Sequence, residues 1–126
     1  MLLEDLRIAV VNVIEKKRRF LKEEFGDDSD YPIKGVVVVG SVATREEKPS
    51  SDIDLLVLSD GEGYFEDFVQ LLTQELKTVS GRKDLELDVF GTIRIDLGER
   101  FEPQTWAASK ERESFHNGYE VIEASL

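Results

Sequence analysis

Residues 36–60 read VVVVGSVATREEKPSSDIDLLVLSD, and the fold turns on how this stretch is parsed. Residues 36–39 are a continuous β-branched run, which suits a strand buried on both faces. Gly40-Ser41 opens a turn, and residues 42–45 have room for a short helix. Residues 46–51 are polar and contain Pro49, which makes them a loop. Residues 53–58 are a second apolar run of strand length. Two strands therefore flank a Gly-Ser pair, a gap of ten residues between Ser41 and Asp52, and an Asp-x-Asp.

Upstream, Leu3, Leu6, Val10, Val13 and Ile14 recur at helical spacing, and Phe20, Leu21 and Phe25 continue the apolar side. A helix over 2–25 follows. Glu4 and Asp5 near its start and the basic run 16–19 further along match the helix dipole. Gly26, the polar residues 27–30 and Pro32 end it. Downstream, Phe65, Phe68, Val69, Leu72, Leu76 and Val79 predict a helix over 64–79, closed by Ser80-Gly81. Residues 85–90 predict a third strand and 92–97 a fourth, joined near Gly91 as a hairpin or bend. A helix over 103–116, a stop at Gly118 and a strand over 119–123 complete the reading. The class is α/β of the α+β kind: a mixed sheet of four to five strands packed against helices, in one domain over 1–126.

The composition limits what such a domain can do. With 126 residues, 40% hydrophobic and 34% charged, the chain is about one domain long, with a core and a strongly charged surface. It has no cysteine, which excludes disulfides and thiolate metal sites and fits a reducing cytoplasm. The N-terminus has acidic residues ahead of its apolar run and no small-residue cleavage site, unlike a secretory signal. No apolar run is long enough to span a bilayer. A net charge of −11 disfavours nucleic acid, whose partners present a basic face. It leaves nucleoside triphosphates open, because a divalent cation can supply positive charge.

The motif between the first two strands has a chemical use. Glycine at a strand end lets backbone approach a phosphate closely, and a serine opening a turn can offer hydroxyl and N–H to it. Asp52 and Asp54, two apart, point to one face of a strand while Ile53 points to the other. In residues 85–90, LELDVF, the leucines and Val89 share one face, and Glu86, Asp88 and Phe90 share the opposite one. Asp88 on a neighbouring strand could thus join Asp52 and Asp54, with Glu86 and Asp96 as rivals. Two bare carboxylates about 4 Å apart repel by roughly 4 kcal/mol at an effective dielectric near 20. Such a cluster needs a proton or a cation, and three hard oxygen donors without a nearby histidine favour Mg2+ or Mn2+.

This pattern resembles the DNA polymerase beta-type nucleotidyltransferase superfamily, and above all its minimal nucleotidyltransferases. Those carry Gly-Ser, a similar gap, Asp-x-Asp and a third aspartate on a later strand; the likeness covers residues 33–90. It implies that Gly40 and Ser41 hold the triphosphate of ATP and that Asp52 and Asp54 bind metal. Asp88 would complete the site as a metal ligand or as the base that activates a hydroxyl. Relatives often read Gly-Ser-x-Ala-Arg-Gly, whereas here Gly40-Ser41-Val42-Ala43-Thr44-Arg45 displaces the arginine by one position and lacks the second glycine. Arg45 is the corresponding candidate for phosphate.

The same resemblance implies an acceptor. Minimal nucleotidyltransferases are often paired with a small helical HEPN-type protein as antitoxin and toxin, which implies AMP transfer from ATP to a tyrosine of that partner. Two other readings stay open. One is adenylylation of a small molecule such as an antibiotic, with a homodimer building the acceptor site. The other is a non-catalytic module that neutralises a partner by contact. Elsewhere, the basic run 16–19 reads as a solvated helix face, His116 as a surface or capping residue, and Trp106 and Phe115 as packing residues or, if exposed, part of a partner interface.

Overall fold

Strand-forming runs with few polar interruptions pair in the centre of the molecule. The computed structural model describes residues 2–26, 30–39, 53–100 and 119–124. In chain order these form α1 (Leu2–Phe25), β1 (Ile33–Val39), β2 (Ile53–Ser59), α2 (Phe65–Ser80), β3 (Leu87–Arg94), a 3-10 turn (Ile95–Leu97) and β4 (Tyr119–Glu123). The strands make one mixed sheet in the order β3-β2-β1-β4. β1 is antiparallel to both β2 and β4, whereas β2 and β3 are parallel, as the α2 crossover between them allows. This is the mixed sheet against helices expected of a nucleotidyltransferase fold.

The core lies between the sheet and the helices. Leu3, Leu6, Val10 and Ile14 of α1 and Phe68, Leu72 and Leu76 of α2 are buried with Val36, Val38, Ile53, Leu55, Val57 and Ile122. A smaller apolar cluster on the other face joins Val37, Val39, Leu56, Leu58 and Ile93, with Phe90 packed against it. β1 and β2 are thus apolar on both faces, which is why their sequences run without alternation. α1 ends as Gly26 takes φ +93° and returns its N–H to the Lys22 carbonyl at 3.0 Å, a left-handed stop that glycine takes without steric penalty. Among the described residues no helix is long and apolar enough to cross a membrane.

Two expectations change. Residues 87–94 are one strand, and no hairpin forms at Gly91. The β2–β3 register slips where Leu55 pairs with Val89 and Leu56 with Gly91, so Phe90 is the extra residue of a bulge. Residues 95–97, expected as strand, form the 3-10 turn. The basic run is also more engaged than a solvated face. Lys16 and Lys17 reach Glu75 and Asp67 of α2 at 3.7 and 3.1 Å, and Lys17 lies over the rings of Phe20 and Tyr64. The helix over 103–116, with Trp106, Phe115 and His116, and the short helix over 42–45 lie outside the described residues.

Candidate functional site

The site begins with the parallel pairing of β2 and β3. Asp54 is the register partner of Asp88, and Asp54 is also the partner of Val39 on β1. Residues paired across neighbouring strands share a face, about 4.8 Å apart along the sheet. The two carboxylates therefore stand side by side, in one row with Val39 and Tyr119. The face is settled by their neighbours. Leu55 and Val57 pack toward the helices, whereas Leu56, Leu58 and Phe90 belong to the cluster on the opposite side. The acid pair thus opens away from α1 and α2.

The row also places the Gly-Ser pair in the chain. β1 is described up to Val39, and Gly40 is the next residue. The motif begins one residue past the partner of Asp54. Gly40, Ser41, Arg45 and Asp52 themselves lie outside the described residues. Of the site residues expected from sequence, then, the structure brings Asp54 and Asp88 together.

The rivals of Asp88 separate on geometry. Asp96 follows Arg94, which pairs with Ser59 at the other end of β2 from Asp54. Its carboxylate accepts two bonds from the Arg94 guanidinium, at 2.8 and 2.7 Å, and that pairing holds it below the usual carboxylate range. Asp96 is thus at the wrong end of the sheet and already engaged. Glu86 stays close: its carbonyl accepts the Ile53 N–H at 3.1 Å, one residue before β3 starts. Asp54 is half-buried and Asp88 is exposed, so the pair sits at the boundary of solvent, where a hydrated cation or a substrate can reach it.

The donor set is what a hard divalent cation prefers: carboxylate oxygens with, among the described residues, neither sulfur nor imidazole beside them. Among the described residues no group of three or more acidic, histidine or cysteine side chains gathers tightly enough to hold a metal ion. The pair alone fits such an ion in kind and is short of it in number.

Sequence reasoning missed the bulge at Phe90, two residues after Asp88. The signal was present, since an isolated glycine inside a strand pattern often marks a bulge. The bulge turns β3 just past its acid and shifts the alternation after it, so that Ile93 joins Phe90 on the open face with Leu56.

No curated protein matches this sequence. A family model described as "Nucleotidyltransferase domain" matches residues 14–112. That span runs from the middle of α1 past the end of β3 and takes in both the Gly-Ser motif and the acid row. It covers well over half of the chain, and the protein belongs to the nucleotidyltransferase domain family.

Proposed function

We propose that this chain is a metal-dependent adenylyltransferase that moves AMP from ATP to a hydroxyl of an acceptor, a tyrosine of a HEPN-type partner protein. Family membership supports nucleotidyl transfer in general; the donor, the metal and the acceptor are the further reading. The observation that carries it is the in-register pairing of Asp54 with Asp88 on an open sheet face, in the row where β1 gives way to Gly40-Ser41. A like-charged pair has no packing use there. Asp52, two positions before Asp54 in sequence, would supply the third carboxylate.

In this reading Asp52, Asp54 and Asp88 hold Mg2+ or Mn2+, which would polarise the α-phosphate and offset charge on departing pyrophosphate. Gly40 and Ser41 cradle the triphosphate through backbone N–H groups and the serine hydroxyl, with Arg45 as a further cation toward it. Asp88, the more exposed of the described pair, accepts the proton of the attacking hydroxyl. The acceptor comes from another chain.

The deciding measurement is calorimetry of ATP binding to the purified chain, with and without Mg2+, for the wild type and for Asp54→Asn and Asp52→Asn. The expected result is Mg2+-dependent binding that is lost in both variants. Binding that ignores Mg2+, or survives both substitutions, would sink the site assignment.

A further inference from the structure

We propose that the edge of β3 away from β2 is the acceptor's docking rail, where an extended basic segment of another polypeptide adds as an antiparallel strand and presents a hydroxyl beside Asp88. This rests on the transferase reading and names the class of acceptor it serves. β3 closes the sheet order β3-β2-β1-β4, so among the described residues it has a strand neighbour on one side. The bond from the Ile53 N–H to the Glu86 carbonyl fixes the phase of the ladder. In a parallel pair alternate residues turn their main-chain groups to the neighbour. Glu86 and Asp88 turn theirs toward β2, which leaves Leu87 and Val89 turned toward the edge.

That phase has a chemical consequence. A strand added at Leu87 and Val89 places one of its residues opposite Asp88, with its side chain on the same face as Asp88 and Asp54. Its flanking side chains fall on the other face. There Phe65, Glu66, Val69 and Gln70 of α2, with the half-buried Leu87 and Val89, line a shallow groove of about 280 Å³. Main-chain bonds with pockets for alternate side chains are how strand addition combines affinity with specificity. The Phe90 bulge breaks the regular edge immediately after Val89, which confines pairing to the stretch beside the acid.

Charge selects the occupant. Glu66, Glu86 and Asp88 border this edge, and the chain carries −11 overall. A second copy would set acids against acids, which is destabilising across a strand pair. A segment with Lys or Arg on either side of its hydroxyl residue, and apolar residues between, satisfies both faces. In the reaction its hydroxyl oxygen bonds to the α-phosphorus of ATP as the bond from that phosphorus to the bridging oxygen breaks. Pyrophosphate leaves, and the hydroxyl proton passes to the Asp88 carboxylate.

The probe is a short peptide with the core Lys-Val-Tyr-Val-Lys, titrated against the intact chain by fluorescence anisotropy. Two controls are N-methylated, one at both valines and one at the tyrosine. In an antiparallel addition the valine amides face β3 and the tyrosine amide faces away. Valine methylation should weaken binding roughly tenfold or more, as loss of two hydrogen bonds predicts, while tyrosine methylation leaves binding nearly unchanged. With Mg2+ and ATP, the unmodified peptide should gain the mass of one AMP on its tyrosine. Absence of peptide binding, or equal binding of all three peptides, overturns the docking rail, and Mg2+-dependent ATP binding would then leave the transferase reading in place. Strand-specific peptide binding by a chain that binds no ATP at all supports the rail and overturns the transferase reading.

Discussion

Replacing Asp88 by asparagine keeps the side-chain volume and removes one charge from a pair held side by side by strand register. In metal-free buffer that charge repels Asp54, so relief of this repulsion should let Asp88→Asn melt no lower than the wild type. If Asp88 takes the hydroxyl proton, nucleotidyl transfer should fall by about a hundredfold or more. A fall in both melting temperature and activity would instead mark Asp88 as structural. Gly35 poses the opposite case, with a purely steric reason. A methyl group there would land on the Ile122 carbonyl oxygen and 2.9 Å from Glu123 Cα, both on β4. Those are backbone atoms held in the β1–β4 ladder, so nothing flexible can yield. Gly35→Ala should cost about 2 kcal/mol or more, seen as a lowered denaturation midpoint with exchange protection lost first in residues 119–123.

The start of α2 shows how an element is held by contacts outside its own sequence. Tyr64, its N-cap, has φ 65° and makes no side-chain capping bond. A bulky residue in that region is strained by about 1–2 kcal/mol. Opposing this, its ring meets Tyr31 edge-on at 5.2 Å, and Lys17 lies over it at 5.8 Å from the ring centre. These contacts are worth about 0.5–1.5 and 0.5–1 kcal/mol. Tyr64→Gly relieves the backbone and loses the ring, so it should be close to neutral. Tyr64→Ala loses the ring and keeps the strain, and should melt lower than Tyr64→Gly by roughly 1 kcal/mol. Equal stability of the two variants in urea denaturation would mean that the backbone is unstrained.

What the sequence conveys follows from the same balance between local and distant contacts. α1 was readable to both ends, Leu2–Phe25, because helical period and the Gly26 stop are local signals. The 119–123 strand was readable as well, but its place beside β1 was not, since that depends on pairing with residues 80 to 88 positions earlier. The parsing of 85–97 failed for a definable reason. Leu87 and Val89 face the helices, and alternation would put Gly91 and Ile93 there too, yet Ile93 packs on the open face. The bulge at Phe90 shifts the alternation by one residue, and in a bare sequence that shift looks like the end of a strand. β1 does the same between Ile33 and Gly35, so that Ile33 and Val36 share the core. Asp88 was legible as a face-sharing acid of its strand. That its partner is Asp54, and that Asp96 belongs to Arg94, emerges only from parallel register.

At the scale of the whole molecule, an acid-rich chain gathers its apolar residues into a core between helices and sheet, and a tyrosine hydroxyl is caught inside it. Tyr31 is fully buried, and its hydroxyl has no hydrogen-bond partner among the described residues. Burying a hydroxyl unpaired costs about 1–3 kcal/mol, so Tyr31→Phe should stabilise the fold by roughly 1 kcal/mol at neutral pH while retaining the edge-on contact with Tyr64. Burial, with the neighbouring Asp67 carboxylate, raises the Tyr31 hydroxyl's pKa well above its ordinary value. The unfolded chain then releases this proton near pH 10 while the folded chain keeps it. Above that pH the unfolded state binds fewer protons, and stability falls as pH rises by up to about 1.4 kcal/mol per pH unit. Ionisations elsewhere in a chain already at −11 are common to both proteins. The difference between wild type and Tyr31→Phe in urea titrations isolates the phenol: it should be constant up to about pH 9 and widen steadily above pH 10 in favour of the variant. A difference that stays constant through pH 11 would mean that the Tyr31 hydroxyl ionises in the folded protein as readily as in the unfolded one.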